Sequence, residues 1–306
     1  MGSSEQPDNR PEKAFFIFGH NISHTLSPTL HNTGFRELGL PYQYNIHQTE
    51  SVDETVEKII KRDDFGGASV TFPHKLQIGK LLDSVTPCAE KIGAVNTVIV
   101  DERSGKRCLL GDNTDWHGIK RCIEKSGVEG LQSSAALILG SGGAARAACY
   151  ACLELGISEV LIVNRTTSKA QAMADQFPNV KSHVMATLDG AATDRKQPEN
   201  TEKAPIRVII ACIPADDLSK DKIPSEIFTG SETGVLIEMA YRPQVTGMMA
   251  RASCHEGWKV FRGVDVLEEQ GYAQFELWTG KNAPVPAMRA AMQAKIEQNE
   301  QAKSSM

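Results

Sequence analysis

The chain has no apolar run near the ~20 residues that a membrane-spanning helix needs. Its N-terminal text, MGSSEQPDNRPEK, has no apolar core of the kind a signal peptide carries. It opens like a myristoylation site but has Gln6 where Ser or Thr is wanted, so residues 1–11 are expected to be a disordered tail. Positive charge is not in excess: the net charge is −5, which argues against nucleic acid and against an anionic membrane surface as partners. An anion must then be held by a local site. The 7 cysteines are odd in number and lack framework spacing, so a reduced, cytoplasmic compartment is expected. Cys149 and Cys152 form a C-x-x-C, but they lie inside the apolar helix pattern AARAACYACLEL and read as buried thiols. His24, His31, His74 and His117 lack ligand spacing, so no metal is expected.

What is present is a two-domain quantity of α/β text. The 306 residues suit two domains, and the 41% apolar fraction suffices for packed cores. Ala14–Phe18 and Tyr42–Ile46 read as strands, with a helix between them that opens near Pro28. Val52 to Arg62 has helical periodicity, and shorter helical pieces follow over Lys75 to Leu82 and Cys88 to Ile92. Polar islands end three apolar runs: Ser69-Val-Thr71 with His74-Lys75, then Asn96-Thr97, then Asp112 to Asp115. Side chains at strand ends can share a cleft while the apolar runs behind them fix their positions. One lysine, one aspartate, one asparagine and several hydroxyls suit a small polyol and the movement of a proton. Thr25 and Ser27 precede the first helix and either grip a carboxylate or, for Ser27, cap the helix.

Ala135–Leu139 runs into Gly140-Ser-Gly142-Gly143-Ala144-Ala-Arg146, an apolar helix, and the strand Val160–Val163. That is a strand, glycine turn, helix and strand of about 30 residues, the size of a dinucleotide-binding unit. The strand ends on Asn164, Arg165 and Thr166 with Lys169 a turn later, where an NAD site has a carboxylate. Arg165 can pair with a 2′-phosphate, so the chemistry favours NADP(H), the bland alternative being a solvated helix start. Later turns fall on the same sheet edge and bring Ile213 and Met239. Thr187 to Pro205 is polar and pattern-free and reads as a long loop. A helix is expected over Val264 to Trp278 and a last one from Ala287 to about Asn299.

Together LSPTLHNTGF, GGASVTFPHK, IGAVNTVI, LGDNTDW, GSGGAAR, VNRT and GVDVLEEQGYAQFELWTG resemble the shikimate/quinate dehydrogenases over nearly the whole chain. The wording is nearest to the shikimate dehydrogenase domain of the fungal AROM polypeptide. The resemblance implies a mixed α/β substrate domain, 12–113 with 281–300, and a Rossmann-type NADP-binding domain, 114–280, with 301–306 as a second tail. It implies Lys75 as acid/base with Asp115 as partner. Thr25, Ser27, Thr71, Asn96, Tyr241 and Gln270 would bind the acid. Gly140, Gly142, Gly143, Ala144, Asn164, Arg165, Thr166, Lys169, Ile213, Met239 and Gly263 would bind NADP(H). The implied substrate pair is shikimate and 3-dehydroshikimate, in a monomer or homodimer. Thr25 in place of Ser, His74 before Lys75, Val266 for a common Met and Glu238 for a common Asp are departures. The first three keep quinate and 3-dehydroquinate open as the substrate pair. A catalytically silent quinate-pathway sensor or repressor is a further alternative, against which the retained Lys75, Asp115 and Asn96 weigh.

Overall fold

The computed structural model describes residues 12–103, 105–157, 159–196, 203–215 and 218–304. The expected tail at 1–11, residues 305–306 of the expected tail 301–306, and residues 197–202 of the expected loop lie outside these; residues 301–304 are helical instead. The chain divides into two compact units: residues 1–84, 97–110 and 274–306 form one, and 85–96 with 111–273 form the other.

The first unit is built on strands β1 (Lys13–Gly19), β2 (Tyr42–Gln48) and β3 (Phe65–Val70). They continue into β4 (Ser84–Val85), β5 (Thr97–Asp101) and β6 (Cys108–Asp112), in the sheet order β2-β1-β3-β5-β6-β4. β1 pairs in parallel with β2 and β3, whereas β3 pairs antiparallel with β5. The sheet is therefore mixed, and its central strands bury nearly every residue, as continuous apolar text requires. Helix α1 (Ser27–Glu37) has its proline in the first turn, where the missing N–H costs nothing. Helix α2 (Glu54–Ile60) is capped by Asp53, whose carboxylate accepts from the Thr55 and Val56 amides. The segment after β3 forms two short 3-10 turns, His74–Leu76 and Ile78–Leu81, where the sequence suggested one helix. Gln77 between them keeps a 3-10 pattern, its N–H reaching the His74 carbonyl.

The second unit opens with α3 (Pro87–Ile92) and α4 (Asp115–Ser126), closed by Gly93 and Gly127 in the left-handed region. Its sheet holds β7 (Ala135–Leu139), β8 (Glu159–Val163), β9 (Lys181–Met185), β10 (Ile206–Ala211), β11 (Gly234–Glu238) and β12 (Trp258–Phe261). The order is β12-β11-β10-β7-β8-β9, and every pairing in it is parallel. Connecting helices are α5 (Gly143–Glu154), α6 (Thr167–Ala174), α7 (Leu188–Lys196) and α8 (Gly247–Ala252). Strand order reverses between β7 and β10, which makes their carboxyl ends the switch point of a doubly wound sheet. Two apolar clusters cover the two faces. Cys149 and Cys152 are both buried in one of them. Burial pushes the Cys149 thiol up to about 12 and raises Cys152 well above the ordinary thiol value, so neither is a reactive thiol.

Helix α7 corrects the loop expected over Thr187 to Pro205. Its text is polar, but Leu188, Ala191 and Ala192 are buried at helical spacing against the sheet, and that packing decides. Two further helices close the chain: α9 (Gly263–Thr279) and α10 (Val285–Ser304), the latter longer at both ends than the sequence suggested. No helix of the described residues is long and apolar enough to cross a membrane.

Candidate active site

In the second unit Asn96, Asp115 and Gln270 meet. The Asn96 amide nitrogen lies 2.9 Å from Thr114 Oγ1, 2.9 Å from Asp115 Oδ1 and 3.1 Å from Gln270 Oε1. Asn96 Oδ1 in turn accepts the Thr114 N–H at 2.7 Å. Asn113 orients the turn, its Oδ1 accepting the Asp115 N–H and its amide donating to the Ala94 carbonyl. All of these side chains are buried. The helices can approach because residue 118 is glycine: a Cβ there would stand 2.7 Å from the Val266 carbonyl oxygen and 3.0 Å from Gln270 Cβ. Tyr241 is 48% exposed as a residue. Burial first, and the Asp115 carboxylate second, push its phenol up.

In the first unit Thr25 and Ser27 stand together, their hydroxyls 3.1 Å apart. Ser27 does not cap α1: the N-cap is Leu26, and no side chain caps the helix. Its hydroxyl instead joins Tyr44, whose O–H donates to Ser69 Oγ at 2.6 Å. Ser69 donates to Gln274 Oε1 at 2.8 Å, and the Gln274 amide donates to Thr97 at 2.9 Å. Ser69 and Thr97 come from the polar islands that the sequence pointed to; Tyr44 and Gln274 belong to this buried network although the sequence gave them no role in the site. Gln274 had a signal, since it lies one helical turn beyond Gln270.

His31 is fully buried between Tyr44 and Trp278, ring centroids 4.7 and 4.9 Å away, and neither ring nitrogen has a well-formed hydrogen bond. Burial holds it neutral, down to about 3, with the nearby Gln274 amide offsetting a little. Lys75 sits in the 3-10 turn after β3, half-buried, and Thr71 anchors that turn by its N–H to the Phe18 carbonyl and its C=O to the His74 N–H. The His74 ring donates from Nε2 to the Thr49 carbonyl at 3.0 Å, and burial lowers its pKa.

The nucleotide residues line the carboxyl edge of the parallel sheet. Gly140 has φ +106, and a Cβ there would meet the Cys212 carbonyl at 3.0 Å and Ile213 Cγ2 at 3.3 Å. Gly142 is the N-cap of α5, with Gly143 and Ala144 opening the helix and no side chain capping it. That leaves the first backbone N–H groups pointing out beside the switch point, a cradle for pyrophosphate. Met239 follows β11, and its carbonyl lies 2.7 Å from where a Gly263 Cβ would be. Asn164 follows β8 and donates to the Thr166 carbonyl at 2.8 Å. Arg165, Thr166 and Lys169 are exposed there, with no carboxylate among them. The donor set fits a dinucleotide that bears a 2′-phosphate.

Comparison with known proteins finds three family models that match parts of the chain. The shikimate dehydrogenase substrate-binding domain matches residues 17–98, the shikimate/quinate 5-dehydrogenase model matches 123–193, and the shikimate 5'-dehydrogenase C-terminal domain matches 263–293. Shikimate 5-dehydrogenase from Thermus thermophilus, solved with NADP(H) and shikimate, is 30% identical with a TM-score of 0.74, over 92% of this chain and 99% of that one. The chain belongs to the shikimate dehydrogenase family. It is also similar to the pentafunctional AROM polypeptide of Malassezia globosa, 43% identical over 90% of this chain but 17% of that polypeptide. The quinate repressor protein of Talaromyces stipitatus is 37% identical over 95% of this chain and 37% of its own length. The chain thus spans less than a fifth of the AROM polypeptides it matches.

Proposed function

We propose that this chain is an NADP-dependent shikimate dehydrogenase that interconverts shikimate and 3-dehydroshikimate. The observation that carries the reading is the Asn96 amide hydrogen-bonded to Asp115 and Gln270 in the unit whose parallel sheet bears the glycine turn. Polar groups buried together, with a carboxylate among them, are characteristic of a site built for a polar ligand. When bound, NADPH supplies the hydride to the ring carbonyl carbon.

Lys75 gives the ring oxygen its proton in reduction and takes it back in oxidation. Asp115 favours the charged lysine and orients it. Asn96 and Gln270 hold ring hydroxyls, and Thr25 and Ser27 donate to the ring carboxylate, with Thr71 and Tyr241 completing the acid's contacts. Gly140, Gly142, Gly143 and Ala144 bind pyrophosphate by backbone N–H. Asn164, Arg165, Thr166 and Lys169 take the 2′-phosphate end, and Ile213, Met239 and Gly263 flank the nicotinamide side.

Quinate dehydrogenase is the second reading, favoured by Thr25, whose methyl stands in the carboxylate grip. A silent quinate sensor is the third, favoured by the likeness to the Talaromyces stipitatus repressor. Absorbance at 340 nm with shikimate or quinate, each with NADP+ or NAD+, separates the three. Turnover of shikimate with NADP+ supports the first reading, and faster turnover of quinate supports the second. No turnover in any of the four mixtures overturns both.

A further inference from the structure

Glu238 is a buried carboxylate that the proposed reaction does not use. It ends β11 and is 2% exposed. Oε1 accepts the Ala240 N–H at 3.0 Å, and Oε2 accepts the Thr246 O–H at 2.7 Å. Both contacts come from neutral donors, and burial raises its pKa while the two donors offset part of that cost. Such a charge is costly to bury, and its two bonds have one thing in common. They tie the start of the segment 240–246 to its end, where Thr246 also caps α8 by accepting the Met249 N–H. Inside that clasp lies Tyr241, whose phenol the Asp115 carboxylate helps to push up.

We infer that Glu238 is a positioning residue: it clasps the 240–246 loop shut and so holds Tyr241, the proposed contact for the acid, in place. The inference rests on the proposed role of Tyr241 as a contact for the acid. Met239 is outside the clasp. Its N–H is held by the Ala211 carbonyl at 3.0 Å, and its own carbonyl is backed by Gly263. Loss of Glu238 should then release Tyr241 and leave the cofactor edge in place. Merely structural loss would instead weaken both ligands together or neither.

The test is a double-mutant cycle on the full chain, read by calorimetric binding of shikimate with saturating NADPH, a pair that cannot react, and, separately, of NADP+ alone. Glu238→Ala should weaken shikimate about tenfold, with NADP+ within about twofold. Tyr241→Ala should weaken shikimate comparably. The double variant should bind shikimate no worse than Tyr241→Ala alone, because the clasp acts only through that side chain. Thr246→Val cuts one half of the clasp without touching β11, so it keeps the test available if Glu238→Ala does not fold; it should show the same non-additivity. Thr246→Ser keeps the hydroxyl and should restore parental affinity. If Tyr241→Ala weakens shikimate but the Glu238 and Thr246 effects add to it, or do not occur, the inference is overturned while the proposed function stands. If Tyr241→Ala leaves shikimate binding unchanged, the role of Tyr241 fails and the inference falls with it.

Discussion

The two units each bury a polar network, and the networks are built differently. In the first unit hydroxyls and an amide pass hydrogen bonds in sequence, Tyr44 to Ser69 to Gln274 to Thr97. His31, which stacks on Tyr44 of this network, is kept neutral by burial. In the second unit the bonds converge on a single amide, Asn96, and one member is the carboxyl group of Asp115. A chain of hydroxyls can lose one link and re-pair by rotating the others. A hub cannot, because its removal takes a bond from several buried groups at once. The first network therefore suits shape and neutral recognition, and the second suits holding charge in place.

The largest effect should come from the cation of the first unit. Lys75→Ala should lower kcat by roughly 10²–10⁴-fold, the usual worth of positioned acid–base catalysis. NADP+ affinity should stay within a few-fold of the parent, since the glycine turn and Arg165 belong to the other unit. Stopped-flow or steady-state rates at saturating shikimate measure this directly. An unchanged kcat would remove Lys75 from the chemistry.

The neutral character of the first network can be tested by pH. His31 has a folded pKa of about 3 against an ordinary imidazole value of 6.5. Between those values the unfolded chain binds a proton that the folded one refuses. The stability this group contributes is therefore present above pH 6.5 and is lost as pH falls toward 3. Fully titrated, the loss is on the order of 5 kcal/mol. His31→Phe keeps an aromatic ring between Tyr44 and Trp278 and should flatten that part of the stability–pH curve in denaturant titrations. Parallel slopes for parent and variant would show that His31 is not protected as the burial implies.

How much of this was legible in sequence follows from the range of the interactions. The stretch from Ala135 to Arg165 could be read because strand, glycine turn, helix and strand are contiguous, and each signal is local. The end of β8 was legible for the same reason, since the absence of a carboxylate at Asn164-Arg165-Thr166 is a local fact. The Ser69–Gln274 bond spans 205 residues and the Tyr44–Ser69 bond spans 25, and no local pattern announces either. Helix α7 was hidden because it meets the core through Leu188, Ala191 and Ala192, and two of these are small. Ser27 could have been a cap or a ligand group on spacing alone. Only the backbone at Leu26 and the bond to Tyr44 remove the first option.

The contrast between hub and chain has its own test in stability. Asn96→Ala should cost about 2–3 kcal/mol, because Thr114 N–H, Asp115 and Gln270 each lose a buried partner. Ser69→Ala should cost about 1 kcal/mol, since Tyr44 and Gln274 retain other neighbours to turn toward. Urea unfolding midpoints of the two variants decide it. Equal losses would mean that the hub has no special standing and that the two networks differ in composition alone.

The smallest expected effect concerns the choice of acid. Shikimate carries its carboxylate on a planar alkene carbon, whereas quinate carries it on a tetrahedral carbon that also bears a hydroxyl. A methyl beside the carboxylate grip touches these two shapes unequally. Thr25 supplies such a methyl, and its hydroxyl is already paired 3.1 Å from Ser27. Thr25→Ser keeps the hydroxyl and deletes only the methyl, so the grip itself should survive. One methyl-sized contact is worth about 1 kcal/mol, which bounds the change in preference at several-fold. The ratio of kcat/KM for shikimate to that for quinate should rise by that amount, because the bulkier tetrahedral centre loses the contact. A ratio that stays within twofold would move the discrimination away from the hydroxyl pair and onto the other acid contacts, with Ser69 and Tyr44 next in the same hydrogen-bonded chain.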